Sequence, residues 1–211
     1  RDGEVMRSDD SDPQPAFLSR AMPGASGLAP YEPGKPVSEL AREYGVGDII
    51  KLASNEGLLG PCEGALEAIR AGLEGLGHYP DGNGFELKGA LAEHHGVGPE
   101  RITLGNGSND VLDLVARAFL GPGRNAVFAR HAFAVYPIVT QVAGAECRVA
   151  PALSPDAGQP YGHDPEAMLA RVDDDTGVVF IANPNNPTGT WVTRAALKDF
   201  LERLPQRVVA V

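Results

Sequence analysis

From residue 101 onward, short apolar runs alternate with segments of helical period, and this alternation constrains the fold more than any other feature. Arg101–Leu104, Asn125–Ala129, Glu146–Ala150, Gly177–Ala182 and Val208–Val211 read as strands. Between the first two, Val111, Leu112, Leu114, Val115, Ala118 and Phe119 fall on one face of a helix. Further helices are predicted over Ala134–Ala143, Asp164–Val172 and Thr193–Leu204, with Asp164 and Thr193 as N-caps and Pro165 at a first helical position. The pattern implies an α/β fold, a parallel sheet covered by helices on both faces. Ligands of such sheets gather beyond the carboxyl ends of the strands. Function is therefore sought in the loop that follows each strand.

The first hundred residues are less regular. Residues 1–27, rich in Asp, Ser, Pro and Gly, read as a disordered or arm-like leader. Helices are expected over Val37–Tyr44, Pro61–Leu73 and Phe85–His95, the last closed by Gly96. Asp48–Ala53 reads as a strand and Gly75–Gly84 as a glycine-rich loop. The expected division is a leader over 1–27, an arm and interface segment over 28–100, and a large domain over 101–211.

A net charge of -10 argues against nucleic acid as a partner, because phosphate backbones need a basic surface. The two cysteines and five histidines show no metal-ligand or disulfide spacing, so no metal is expected. Asp173–Asp175 reads as a solvated charge run in a turn. No apolar run is long enough to span a membrane, and the polar start lacks a signal peptide's apolar centre. A cytoplasmic protein is the expectation. The start at Arg1 and the apolar finish at Arg207–Val211 read as cuts from something longer.

Three strand ends stand out. After Leu104 comes Gly105-Asn-Gly-Ser-Asn-Asp110, leading into a helix. Flexible glycines and the unpaired N–H groups of a helix start suit a phosphate. The other reading is a plain helix capped by Ser108 or Asn109. The loop also half-matches a dinucleotide fingerprint, with Asp110 where the third glycine belongs. After Ala129, Phe133 could stack on a planar ligand or pack on the core. After Ala182, Asn183-Pro-Asn-Asn-Pro-Thr-Gly189 is a rigid turn that presents amide side chains, the most specific string in the chain.

That string resembles the asparagine–proline loop of fold-type I pyridoxal-phosphate aminotransferases. Tyr31-Glu-Pro-Gly-Lys-Pro36, Lys51-Leu-Ala-Ser-Asn-Glu56, His78-Tyr-Pro-Asp-Gly-Asn-Gly84 and Gly105-Asn-Gly-Ser-Asn109 precede it in the order seen in the histidinol-phosphate branch, so the resemblance covers residues 28–211. It implies a truncated fold-type I large domain with an N-terminal arm and part of the small domain. It further implies pyridoxal 5'-phosphate as cofactor and a homodimer with shared active sites. Histidinol phosphate, with 2-oxoglutarate and glutamate as the exchanging pair, is the implied substrate. Gly107, Ser108 and Asn109 would hold the cofactor phosphate, Phe133 would stack on its ring, and Asn186 would donate to its phenolic oxygen. Tyr79 would reach the phosphate in the partner subunit. Tyr31, Asn55 and Glu56 would border the substrate.

The chain departs from that pattern at two places. Relatives usually carry Asn-Pro where this chain has Gly57-Leu58, which exchanges a rigid turn for a flexible one. Transamination also needs a lysine that forms a Schiff base and moves a proton. Lys35, Lys51, Lys88 and Lys198 match no family lysine motif, and that lysine is expected after Val211. No catalytic residue is therefore assigned within the chain, which alone is expected to be inactive. A related lyase acting on a phosphorylated amino acid, a dinucleotide-binding module and a non-catalytic truncated chain are the alternatives.

Overall fold

The computed structural model describes residues 19–28, 35–52 and 54–211. In chain order its helices and strands are α1 (Pro23–Ser26), α2 (Val37–Tyr44), α3 (Glu63–Gly72), α4 (Phe85–His95), α5 (Ser108–Phe119), β1 (Asn125–Ala129), α6 (Val135–Val142), β2 (Glu146–Ala150), α7 (Pro165–Leu169), β3 (Thr176–Val179), α8 (Arg194–Arg203) and β4 (Val209–Ala210). The chain forms two compact units, one of Pro30–Leu104 and one of Gly105–Val211 together with Arg1–Ala29.

The second of these is a three-layer α/β unit. Its strands are all parallel, in the order β2-β1-β3-β4. Strand side chains alternate between faces, and the buried residues sort accordingly. Ala126, Phe128, Val178 and Phe180 share one cluster with Leu112 and Ala116 of α5 and Tyr136 and Val139 of α6. Val127, Ala129 and Val179 share the other with Met168 of α7 and Phe200 of α8. The central strands β1 and β3 are buried on both faces, as the sequence predicts for a parallel sheet, whereas edge strand β2 is buried only at Ala150.

Local chemistry sets the boundaries. The Asp164 carboxylate caps α7 by accepting from the N–H groups of Glu166 and Ala167, and the Thr193 hydroxyl caps α8 by accepting from Ala196 N–H. The expected leader is ordered over one turn at its end. In α1, Pro23 fixes the first turn, and a Cβ on Gly24 would lie 1.7 Å from the Gln141 carbonyl oxygen. Only glycine allows that backbone to lie so close to α6.

Asp173–Asp175 departs from the expected solvated run. At the amino ends of β1 and β3, the Asp173 carboxylate accepts from Asn125 Nδ2 at 2.9 Å and the Asp175 N–H at 3.0 Å, and pairs with Arg148. The Thr176 hydroxyl, 3.1 Å away, donates to buried Asn125 Oδ1 at 2.8 Å. The Asn125 amide is the main cause that holds the Asp173 carboxyl at about 2, below the usual carboxylate range. Asp174 does face solvent, beside Arg207.

The Pro30–Leu104 unit holds α2, α3 and α4 and 3₁₀ turns at Leu73–Gly77 and Pro99–Arg101. None of its described residues is buried, and Ile50, Leu52, Leu58 and Leu59 are exposed. The strands expected at Asp48–Ala53 and Arg101–Leu104 are absent among the described residues. Ile102 keeps extended dihedrals (φ −113°, ψ 119°), but the segment has no ladder partner. Extended backbone becomes a strand only when its polar groups pair.

Candidate functional site

The topology defines a crevice. From β1 the chain crosses by α6 on one face to β2, whereas from β3 it crosses by α8 on the opposite face to β4. Adjacent β1 and β3 thus send their following loops in opposite directions, which is a topological switch point. Residues 130–134 follow β1 and residues 182–193 follow β3, so Phe133 and Asn186 both belong to loops at this point.

Helix α5 aims its amino end the same way. A Cβ on Gly177, at the start of β3, would meet the Phe119 carbonyl oxygen at 2.5 Å, so the carboxyl end of α5 lies against the amino end of the sheet. Twelve helical residues carry its amino end about 18 Å back toward the carboxyl ends of the strands. Gly107 is the N-cap, with φ 82° and ψ 178°, and no side chain caps the helix. Neither Ser108 nor Asn109 serves as the cap that the plain-helix reading requires. The Asp110 carboxylate instead accepts from Asn106 N–H at 2.8 Å. Exposed Ser108 and Asn109 stand in the first turn, where helical N–H groups have no intrahelical partner and the dipole is positive. These are the features of an anion seat.

Phe133 is half-buried. It packs against the α5–α6 core cluster and meets Tyr136 edge-on, with ring centroids 5.8 Å apart. Packing fixes the ring, and part of it stays accessible.

The asparagine–proline loop divides its two central asparagines. Asn185 is 3% exposed. Its Nδ2 donates to the His131 carbonyl and to the Thr188 hydroxyl, each at 2.7 Å. Its own N–H donates to Thr190 O at 2.7 Å, and its carbonyl accepts from Gly189 N–H at 2.8 Å. Asn186 is exposed, and its amide makes no hydrogen bond among the described residues. Asn183 ties the far end of the loop, donating to Val192 O at 3.0 Å and accepting from Val192 N–H at 2.9 Å.

Segment 159–163 braces this loop. The Gln159 side chain accepts from Trp191 N–H at 3.0 Å, and Gly162 lies against Thr190. Buried His163 donates from Nε2 to the Ala182 carbonyl at 2.9 Å, while its Nδ1 is buried without a partner. Burial pushes the imidazole below its ordinary value, against the opposing pull of the Ala182 carbonyl. An unfolded histidine would take up a proton first as pH falls. The stability owed to neutral His163 is therefore complete above about 6.5 and is lost as pH falls through its lower folded value. Going from about pH 7.5 to about pH 5, the thermal midpoint should drop further in the wild type than in His163→Gln, which retains a donor without the titration. Equal drops would remove His163 from the account.

The remaining expected residues lie elsewhere. Tyr79, Asn55 and Glu56 belong to the Pro30–Leu104 unit, where all three are exposed and Glu56 pairs with Lys51. Tyr31 lies outside the described residues. Lys35 pairs with Glu43, and Lys88 donates to Asn83 Oδ1 at 2.9 Å. Lys198, in the Gly105–Val211 unit, pairs with Glu202 on exposed α8 surface. Among the described residues no cluster of three or more His, Cys, Asp or Glu is gathered for a metal, and no helix is long and apolar enough to cross a membrane. Sequence reasoning named the loops but missed Asn185, His131 and His163. The two adjacent asparagines were the available signal, without a sign of which one turns inward.

Comparison with known proteins bears on the family and the fold. Residues 47–211 match the family described as aminotransferase class I and II. The chain is 61% identical to histidinol-phosphate aminotransferase 2 of Methylococcus capsulatus, covering 93% of this chain and 53% of that protein. It is 60% identical to histidinol-phosphate aminotransferase 2 of Pseudomonas aeruginosa, covering 92% and 52%. It thus spans about half the length of the curated relatives it matches. Among solved structures, histidinol-phosphate aminotransferase from Sinorhizobium meliloti, in complex with pyridoxal-5'-phosphate, aligns with a TM-score of 0.78 at 27% identity, over 91% of this chain and 50% of that one. The chain belongs to the class I and II aminotransferases.

Proposed function

We propose that this chain forms the cofactor-seating part of an enzyme that transfers an amino group between histidinol phosphate and the 2-oxoglutarate/glutamate pair in histidine biosynthesis, with pyridoxal 5'-phosphate as cofactor. The observation that carries this reading is the uncapped amino end of α5, aimed toward the strand ends where Phe133 and the free amide of Asn186 are found. Two relatives with about 60% identity bear the histidinol-phosphate aminotransferase name.

The residues present fit the cofactor. The N–H groups of Ser108 and Asn109, with the Ser108 hydroxyl, would hold its phosphate, and Gly107, whose own N–H donates to Gly105 O at 2.8 Å, would shape the backbone against it. Phe133 would hold the ring flat, and Asn186 would donate to the phenolic oxygen. When bound, pyridoxal phosphate supplies an electron sink that makes the Cα–H bond of an amino substrate acidic. Tyr79, fully exposed in its own unit, would reach the phosphate bound by a partner subunit, so the working form is a homodimer. Tyr31, Asn55 and Glu56 would border the substrate. The location is cytoplasmic. None of the four lysines is offered as the proton carrier, so residues 1–211 alone should show no turnover.

The test uses the natural polypeptide that carries this chain, purified with pyridoxal phosphate and given histidinol phosphate and 2-oxoglutarate. Formation of glutamate is the expected result. Release of carbon dioxide without amino transfer would replace the reading with a lyase. Absence of a cofactor absorbance would return the Gly105–Asp110 loop to the dinucleotide alternative.

A further inference from the structure

Asn185 and Asn186 are neighbours with opposite fates. Asn186 is exposed and free, whereas Asn185 uses its backbone N–H, its carbonyl and both amide hydrogens inside the protein. Three of those four bonds shape its own loop. The fourth reaches 54 residues back to the His131 carbonyl, in the loop that follows β1. His131 is two residues before Phe133. One amide therefore spans the switch-point crevice and joins the loop bearing the ring-stacking candidate to the loop bearing the free amide.

The direction of that amide is fixed. Turning it over would set Oδ1 against the His131 carbonyl, acceptor to acceptor, in a buried place. As it stands, Oδ1 is the buried atom left without a donor, while both Nδ2 hydrogens are used. A residue that served only its own turn would not need the long bond, because the Thr190 and Gly189 backbone bonds already close the loop.

We propose that Asn185 is a positioning residue, which locks the Asn183–Gly189 loop onto the Arg130–Phe133 loop so that Asn186 and Phe133 meet one flat ligand in register. This rests on the pyridoxal-phosphate reading for the identity of the ligand, but the lock itself belongs to the chain without cofactor.

The test has two arms. In the natural polypeptide that carries this chain, without cofactor, amide hydrogen exchange is followed by mass spectrometry. Asn185→Ala should speed exchange about tenfold in both 183–189 and 130–133, from the loss of both side-chain bonds. Thr188→Val, which removes the hydroxyl's bonds to Asn185 and Thr190 and leaves the His131 bond intact, should speed 183–189 alone. In the natural polypeptide loaded with pyridoxal phosphate, Asn185→Ala should weaken cofactor binding about tenfold and move the pH at which the cofactor's absorbance changes, since the Asn186 amide would no longer be held. Thr188→Val should weaken binding about threefold. Unchanged exchange at 130–133 in Asn185→Ala would overturn the lock. Faster exchange in both loops with unaltered cofactor binding would overturn the positioning role while leaving the pyridoxal-phosphate reading intact. A wild type without cofactor absorbance would sink the pyridoxal-phosphate reading, and with it the positioning role, but would not touch the exchange result. Should Asn185→Ala fail to fold, Asn185→Leu, of similar length and without a donor, takes its place, and unchanged exchange at 130–133 would again overturn the lock.

Discussion

Phe180→Ala should lower the unfolding free energy by about 3–5 kcal/mol, a large share of the roughly 5–15 kcal/mol that holds a typical domain together. Phe180 is 0% exposed and stacks on Tyr136, with centroids 4.8 Å apart and ring planes 8° from parallel. Its backbone N–H donates to Val127 O at 2.9 Å, so the ladder holds the main chain in place after truncation. The surroundings then close only partly on the void, and the cost includes a cavity as well as lost transfer energy. The loss should also reach the site, because Tyr136 sits between Phe180 and the edge of Phe133. Urea unfolding of the wild type, Phe180→Ala and Phe119→Ala tests this. Phe119 is 46% exposed and should cost much less. A loss under about 1 kcal/mol at Phe180 would show that the α5–α6 face is not the close-packed core described above.

Much of this architecture could be read in the sequence, for reasons that differ by element. The ends of α2 and α4 match expectation because Gly45 and Gly96 take left-handed dihedrals that stop a helix. Strand β1 matches because a buried parallel strand is a plain apolar run with polar punctuation, and β2 matches in its bounds although, as an edge strand, it is buried only at Ala150. Asp48–Ala53 and Arg101–Leu104 have the same local signal, but among the described residues of these segments there is no ladder partner, since pairing is a property of the assembled sheet. Gly177–Ala182 shows the intermediate case. Regular pairing ends at Val179, but Phe180 N–H still reaches Val127 O and Ile181 N–H reaches Val211 O.

The site divides in the same way. Its loops were legible because glycine, proline and asparagine dictate local backbone. What each side chain does inside the loop was not, because it depends on partners far along the chain. Asn185 turns inward because the His131 carbonyl waits 54 residues away. Asp173 leaves the solvated run because Asn125 and Arg148 converge on it. Ser108 is free of capping duty, a matter of loop geometry that residue type alone does not decide.

Gly107→Ala should reduce pyridoxal phosphate affinity about 10- to 100-fold while costing less than about 1 kcal/mol of stability, and the split follows from where the strain goes. With φ 82° and ψ 178°, Gly107 occupies a region essentially closed to residues with a Cβ, at a cost of about 1–3 kcal/mol. A Cβ there would meet nothing within 4 Å, so the penalty is torsional, and what opposes relaxation is the loop's own exposed bonds, Gly107 N–H to Gly105 O and Asn106 N–H to the Asp110 carboxylate, each at 2.8 Å. The peptide is expected to swing to permitted dihedrals, and the N–H groups beside it turn from the phosphate position. Gly158→Ala, in an exposed loop with open space and ordinary dihedrals, should leave affinity unchanged. Ser108→Ala removes a hydroxyl and keeps the N–H groups, so about threefold is expected. Equilibrium dialysis of pyridoxal phosphate against the natural polypeptide gives the affinities, and thermal unfolding gives the stability. Inorganic phosphate, used as a competitor, separates loss of the anion seat from loss of contacts to the ring. If Gly107→Ala binds pyridoxal phosphate as the wild type does, the phosphate does not sit at the amino end of α5. The three-layer fold would stand, since it rests on the two core clusters, and the cofactor's anchor would have to be sought at another strand end.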